Sequence, residues 1–317
     1  MAKINGLNVS PSRGQGNKFQ FSTSSLLNFT KDSYLERTSR PVYALFFLLP
    51  FIILYEVGTI LLNTDLLLQS QIRVLAFIWL QNFLEYLGFG SKFAWSAAPL
   101  AVVIILLSLQ VASRKSWRIW FKDLLLMALE GIVLAVPLIV LSLLLITSAE
   151  KKTDTHQSSG ISAYSVEYNR PVVQCASKSA DVSKTSADEQ VHSFVKSKFW
   201  AEIVTGIGAG IYEELIFRLV LICILMIIFS DLLKLTDNHA ILLSVFISAA
   251  LFSFYHHIDF ITGRQIDDFS VTKFLFRTIA GVYFAVLYAI RGFGVTAGTH
   301  AFYDIIAVFF NAFNGNA

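Results

Sequence analysis

The sequence predicts an all-α fold, a polytopic transmembrane helical bundle of about eight spans with seven as the alternative. Three observations carry that prediction. Of 317 residues, 55% are hydrophobic and 15% charged, against about 25% charged in soluble domains. Mean hydropathy is +0.61. The apolar residues, 28 Phe among them, gather into runs that reach the roughly 20 residues a helix needs to cross a bilayer. So few charges do not cover a water-soluble globule, and the apolar content excludes extended disorder. The two cysteines, Cys175 and Cys223, do not make a disulfide scaffold. A net charge of +3, scattered along the chain, leaves no nucleic-acid footprint.

Residues 1–40 form a polar, basic tail, assigned here to the cytoplasm. No signal peptide is expected in it, because the first apolar run starts only at Val42. Clear spans then follow at 42–62, 93–112 and 123–147, making an N-terminal membrane unit over 41–147. A weaker span, 72–88, carries Arg73 near its start and Glu85 near its end. The stretch 148–198, with 11 Ser and mixed charge, reads as a flexible hydrophilic loop. Beyond it, a second helical unit over 199–317 has spans at 203–229, 240–257, 274–290 and 293–312. Whether 72–88 crosses decides the sidedness of everything after it. With eight spans and a cytoplasmic N-terminus, Lys and Arg divide 16 against 6 in favour of the cytoplasm; with seven they divide 12 against 11. The positive-inside rule therefore favours eight.

An ionised side chain inside a span costs roughly 2.5–3.5 kcal/mol on insertion scales and so marks function by default. Span 203–229 holds three, in Tyr-Glu-Glu-Leu-Ile-Phe-Arg: Glu213, Glu214 and Arg218. Glu214 and Arg218 stand at i,i+4 with the acid first, the favourable order for an ion pair. That pairing leaves Glu213, about 100° around the helix, as the carboxylate available for use as a base. In 240–257, Phe252 and His256 lie one turn apart on one face; in 293–312, His300 and Asp304 do the same. A neutral imidazole beside a carboxylate can hold or activate a water. At 1.5 Å per residue, Glu213 lies about 15 Å and His300 about 12 Å into their helices, from opposite sides. Both therefore fall near the midplane, in a cavity opening on the side where 203–229 begins. Gly206-x-x-x-Gly210 and Gly294-x-x-x-Gly298 precede these motifs and allow close helix approach.

The ordered set Glu213-Glu214-x-x-x-Arg218, Phe252-x-x-x-His256 and His300-x-x-x-Asp304 resembles the three motifs of the CPBP family, the CAAX proteases and bacteriocin-processing enzymes also called Abi. The resemblance covers about 203–312 and departs in one place: the commoner Asn at the end of the third motif is Asp304 here. It implies an intramembrane endopeptidase of glutamic type that cleaves membrane-anchored or lipidated proteins. Glu213 and His256 would activate the attacking water, Glu214 and Arg218 would support the site, and His300 and Asp304 would polarise the scissile carbonyl. It also implies a cytoplasm-facing cavity and no cofactor. Zinc is the other possibility, since two His and a Glu can ligate it, but no His-Glu-x-x-His occurs.

Two other classes stay open on the residues alone: a proton-coupled transporter, which also lines a midplane cavity with Glu and His, and a non-catalytic immunity or scaffold protein. Phe252 is expected to pack around the site and His257 to lie at the interface. Glu56 and Glu130 are expected as structural carboxyls, Arg277 to snorkel to the interface, and Cys223 to fill the core.

Overall fold

The structure is a computed structural model that describes residues 30, 32–63, 73–89, 94–150 and 184–314. Its helices are α1 (Tyr34–Thr38), α2 (Pro41–Asn63), α3 (Leu75–Tyr86), α4 (Ala94–Ser113), α5 (Phe121–Glu150) and α6 (Lys184–Glu214). There follow a π-helical turn (Leu215–Leu221), α7 (Ile222–Met226), a second π-helical turn (Ile227–Leu232), α8 (Asp237–Tyr255) and α9 (Val271–Asn314). There is no strand among the described residues beyond an isolated bridge, Ile258 to Gln265. Among the described residues, six helices are long and apolar enough to cross a membrane. Their outward faces carry exposed Leu54, Leu61, Leu125 and Leu129, the apolar sheath that lipid rather than water tolerates.

The sixth candidate span folds back on itself. Gly292, at φ 77° and ψ 178°, breaks α9 into arms 271–291 and 293–314. Phe284, eight residues before the break, stacks on His300, eight residues after it, at 4.6 Å. The arms are therefore antiparallel, as the separate spans 274–290 and 293–312 required. Only a glycine adopts this backbone without strain.

Helix α3 departs from the eight-span reading. Its 12 residues extend about 18 Å, short of the ~30 Å hydrocarbon core. The backbone N–H of Val42 donates to Gln110 Oε1 at 3.1 Å, so the start of α2 meets the end of α4 and the two run antiparallel. Hence α3 joins ends that lie on one side of the bundle and does not cross. It starts where Val74 N–H donates to Tyr55 OH and stops at Gly88, φ 100°.

The consequence reaches the whole topology. The α2 start, Asp123 of α5 and the Gly292 turn share one end: Tyr43 OH donates to Asp123 Oδ2 at 3.0 Å, and Arg291 Nη2 donates to Thr38 Oγ1 at 2.9 Å. Helix α6 begins at the other end, where Phe199 packs on Phe309 at 5.3 Å. The tail before α2 and the side on which α6 begins are thus opposite, whereas the eight-span reading put both in the cytoplasm. The segment read as a loop over 148–198 also changes. Helix α6 begins inside it at Lys184, because 184–199 contains neither Gly nor Pro. Cys175 and most of the tail lie outside the described residues.

Candidate active site

The glycine motifs set the spacing of the helices that carry the site. A Cβ on Gly210 would stand 2.6 Å from Ala301 N and 2.7 Å from Ala297 O, and one on Gly206 would stand 2.7 Å from Asp304 Cβ. Helix α6 therefore lies directly against the second arm of α9, and Glu213 and Glu214 arrive beside His300. Gly294 and Gly298 serve a different contact, packing on Ala44 and Phe47 of α2.

Just after the two glutamates the helix widens into the π-helical turn Leu215–Leu221, where the sequence predicted continuous α-helix. π-Turns disturb the regular backbone ladder and often sit at functional sites. Here Ser248 Oγ of α8 donates to the Phe217 carbonyl at 2.7 Å, satisfying that acceptor and tying α8 to the turn. Arg218, in the same turn, lies with Nη1 3.0 Å from Glu214 Oε1; both side chains are fully buried. Its guanidinium faces the Phe252 ring at 4.3 Å and the Phe284 ring at 5.4 Å. The i,i+4 pair expected from spacing is present, and aromatic faces cover the cation.

Glu214 has a second partner. His300 Nδ1 lies 2.7 Å from its Oε1, and a carboxylate only accepts, so Nδ1 donates. That bond turns His300 Nε2 toward Glu213 Oε2, 4.0 Å away, and Asp304 Oδ2, 3.6 Å away. On the other flank, His256 Nδ1 lies 2.9 Å from the Phe252 carbonyl. A carbonyl cannot donate either, so Nδ1 carries the proton, and Nε2 of the neutral ring is an acceptor. That nitrogen faces Glu213 Oε2 at 3.9 Å. Glu213 Oε2 is buried and makes no direct hydrogen bond among the described residues, while Oε1 accepts from Tyr255 OH at 3.3 Å.

All seven residues singled out in the sequence thus converge on one cluster: Glu213, Glu214, Arg218, Phe252, His256, His300 and Asp304. Its exposed edge is formed by His256 and Asp304, whose side chains are 15% and 17% accessible. Among the described residues, no three His, Cys, Asp or Glu side chains form a group able to hold a metal ion. Three contributors were missed. Tyr255 is signalled only by its place beside His256. Ser248 supports a backbone irregularity that periodicity does not reveal. Phe284 cannot be distinguished by sequence among 28 Phe.

Other expectations are corrected. Arg277 does not snorkel: its side chain is 8% accessible, with Nη2 3.7 Å from Asp267 Oδ2, and Nη1 is 3.4 Å from His257 Nε2. His257 is buried rather than interfacial; burial, and then the Arg277 guanidinium, hold its imidazole below the ordinary value. Cys223 is only partly buried. Glu56 and Glu130, by contrast, are the structural carboxyls expected. Glu56 Oε1 accepts from Tyr212 OH at 3.3 Å and Oε2 faces Arg73 at 3.6 Å. Glu130 Oε2 accepts from Tyr34 OH and from Arg291 Nη2, each at 2.7 Å.

Neither the curated proteins nor the solved structures provide a match to the chain. Family comparison does provide one. Residues 195–306, which contain all three motifs, match the family described as type II CAAX prenyl endopeptidase Rce1-like, in line with the resemblance of those motifs to the CPBP/CAAX proteases.

Proposed function

We propose that the protein is an intramembrane endopeptidase that hydrolyses a peptide bond of prenylated, membrane-anchored proteins ending in a CAAX box, with a Glu/His-activated water as nucleophile. The observation that carries this reading is the placement of Glu213 Oε2, 3.9 Å from His256 Nε2 and 4.0 Å from His300 Nε2. These separations exceed a direct hydrogen bond and suit one water oxygen shared between the groups, within general-base reach.

In this mechanism the water donates one hydrogen bond to Glu213 Oε2 and the other to the acceptor His256 Nε2, directing a lone pair at the scissile carbonyl. Glu213 takes the proton as the C–O bond forms. The oxyanion develops beside His300, which as the imidazolium donates from Nε2–H while Nδ1–H stays on Glu214, and beside Asp304. Collapse breaks the C–N bond, and the proton held by Glu213 passes to the leaving amine. Glu214 and Arg218 act through His300: the Glu214 bond to Nδ1 fixes the ring and leaves Nε2 for the substrate. Asp304 serves the oxyanion as a donor only when protonated, or by fixing His300 when ionised.

The site's exposed edge faces the cytoplasm in this reading, where prenylated substrates are presented, and the tail preceding α2 then lies on the opposite side. Cysteines introduced as Arg264→Cys and Ser116→Cys in a cysteine-free background test this. Impermeant thiol reagent added to inside-out vesicles should label the first and spare the second; the reverse pattern contradicts the orientation. For activity, purified protein in vesicles should cleave a farnesylated CAAX peptide and leave its unprenylated counterpart largely intact, as read by mass spectrometry of the released fragment. Absence of cleavage of any prenylated peptide, with proton flux across the vesicle instead, would overturn the protease reading.

A further inference from the structure

Glu213 must present one particular oxygen to the two imidazoles, and a glutamate side chain gives up substantial rotamer freedom when held in one orientation. Among the described residues, the hydrogen bond it receives comes from Tyr255, whose OH donates to Oε1 at 3.3 Å. Tyr255 is itself buried. Its ring packs edge-on against Phe217 at 5.2 Å and Trp79 at 5.0 Å, so the hydroxyl has little latitude. A phenol has one proton to give, and a second contact decides its direction: the Ala76 backbone N–H donates to the same oxygen at 2.8 Å.

Ala76 is in the first turn of α3, where backbone N–H groups lack intrahelical acceptors. Val74, at the N-cap, supplies no side-chain cap. The tyrosine oxygen therefore satisfies an otherwise orphaned donor of the non-crossing helix, and its proton is left to point at Glu213. A second tie holds α3 over the same place, since Trp79 Nε1 donates to Asp259 Oδ1 at 3.0 Å, three residues beyond His256.

Resting on the hydrolytic reading above, we propose that Tyr255 is a positioning residue for catalysis. It anchors Oε1 of Glu213 so that Oε2 meets the water held with His256, and it is oriented for that task by the α3 backbone. The short helix that fails to span the membrane is thereby part of the active-site support.

The test is Tyr255→Phe, which keeps the ring, assayed on the farnesylated peptide in vesicles beside wild type and Glu213→Gln. Loss of a hydrogen bond to a charged group predicts a kcat lower by roughly 10- to 100-fold with KM within about twofold. Hydrogen exchange gives a second readout independent of turnover. The Ala76 amide should be protected in the wild type and should lose at least about tenfold of that protection in Tyr255→Phe. An unchanged kcat in Tyr255→Phe, or an Ala76 amide that exchanges freely in the wild type, overturns the proposal. If Glu213→Gln also cleaves normally, the hydrolytic reading itself has failed. If Glu213→Gln is inactive while Tyr255→Phe is not impaired, only the role of Tyr255 is refuted.

Discussion

Replacing Arg218 by Met leaves Glu214 in an apolar interior with its cation gone. Both side chains are essentially inaccessible and 3.0 Å apart, and the Arg218 guanidinium is covered by Phe252 and Phe284. Removing one partner of a buried pair typically costs about 3–5 kcal/mol, because the remaining charge is uncompensated. The His300 Nδ1 bond to Glu214 remains, so the lower half of that range is expected, about 3–4 kcal/mol. At roughly 2–4 °C per kcal/mol, the melting midpoint in detergent should fall by about 6–16 °C. The informative comparison is the double variant Glu214→Gln with Arg218→Met, which removes both charges. It should recover at least half of the lost stability, the coupling expected of residues in contact. Activity should not recover with it, because Glu214 also holds His300. A shift below about 2 °C in Arg218→Met, or a double variant less stable than the single, would refute the view of Arg218 as the neutralising partner of Glu214.

Other consequences are equally specific. Gly210→Ala places a Cβ 2.6 Å from Ala301 N and 2.7 Å from Ala297 O, backbone atoms that move only with their helix; overpacking should lower stability by about 1–3 kcal/mol, and prenyl-peptide cleavage with it. Asp259 supplies a pH dependence. Burial pushes its carboxyl up, but donors from Thr262, the Ile261 N–H and Trp79 outweigh that and hold it below the ordinary value. A depressed folded value means that docking of Trp79 is fully supported above the unfolded carboxyl pKa of about 3.9 and is lost as pH falls through the folded one. Trp79 fluorescence should therefore stay constant from about pH 6 to about pH 4.5 and change only below that window; Asp259→Asn should abolish this acid transition, and a transition near pH 6 would contradict it.

How far the molecule is legible in its sequence depends on the range of the contact. Glu214 with Arg218, and His300 with Asp304, are one helical turn apart, and spacing alone pairs them. The glycines at 206 and 210 announce a close helix approach, although not that the second arm of α9 is what they meet. The fate of 72–88 was hidden because composition resembles a weak span, and the deciding contact joins Val42 to Gln110, 68 positions away. Charge counting leaned toward eight crossings for the same reason: it senses loops and not helix length. Arg277 and His257 depart from expectation because they meet each other across 20 positions, and Glu130, a structural carboxyl as expected, finds Arg291 161 positions away. Contacts of that separation leave no periodic trace. Tyr255 and Ala76 are 179 positions apart.

The central claim is that Glu213 is the base that activates water. Its most direct measurement is the single-turnover cleavage rate of a prenylated CAAX peptide by Glu213→Gln in vesicles, with the melting midpoint recorded on the same preparation. A positioned general base contributes about 10²–10⁴-fold, so the rate should fall by at least about 100-fold while the midpoint stays within a few degrees of wild type. A Glu213→Gln protein that folds and cleaves at the wild-type rate would contradict the account.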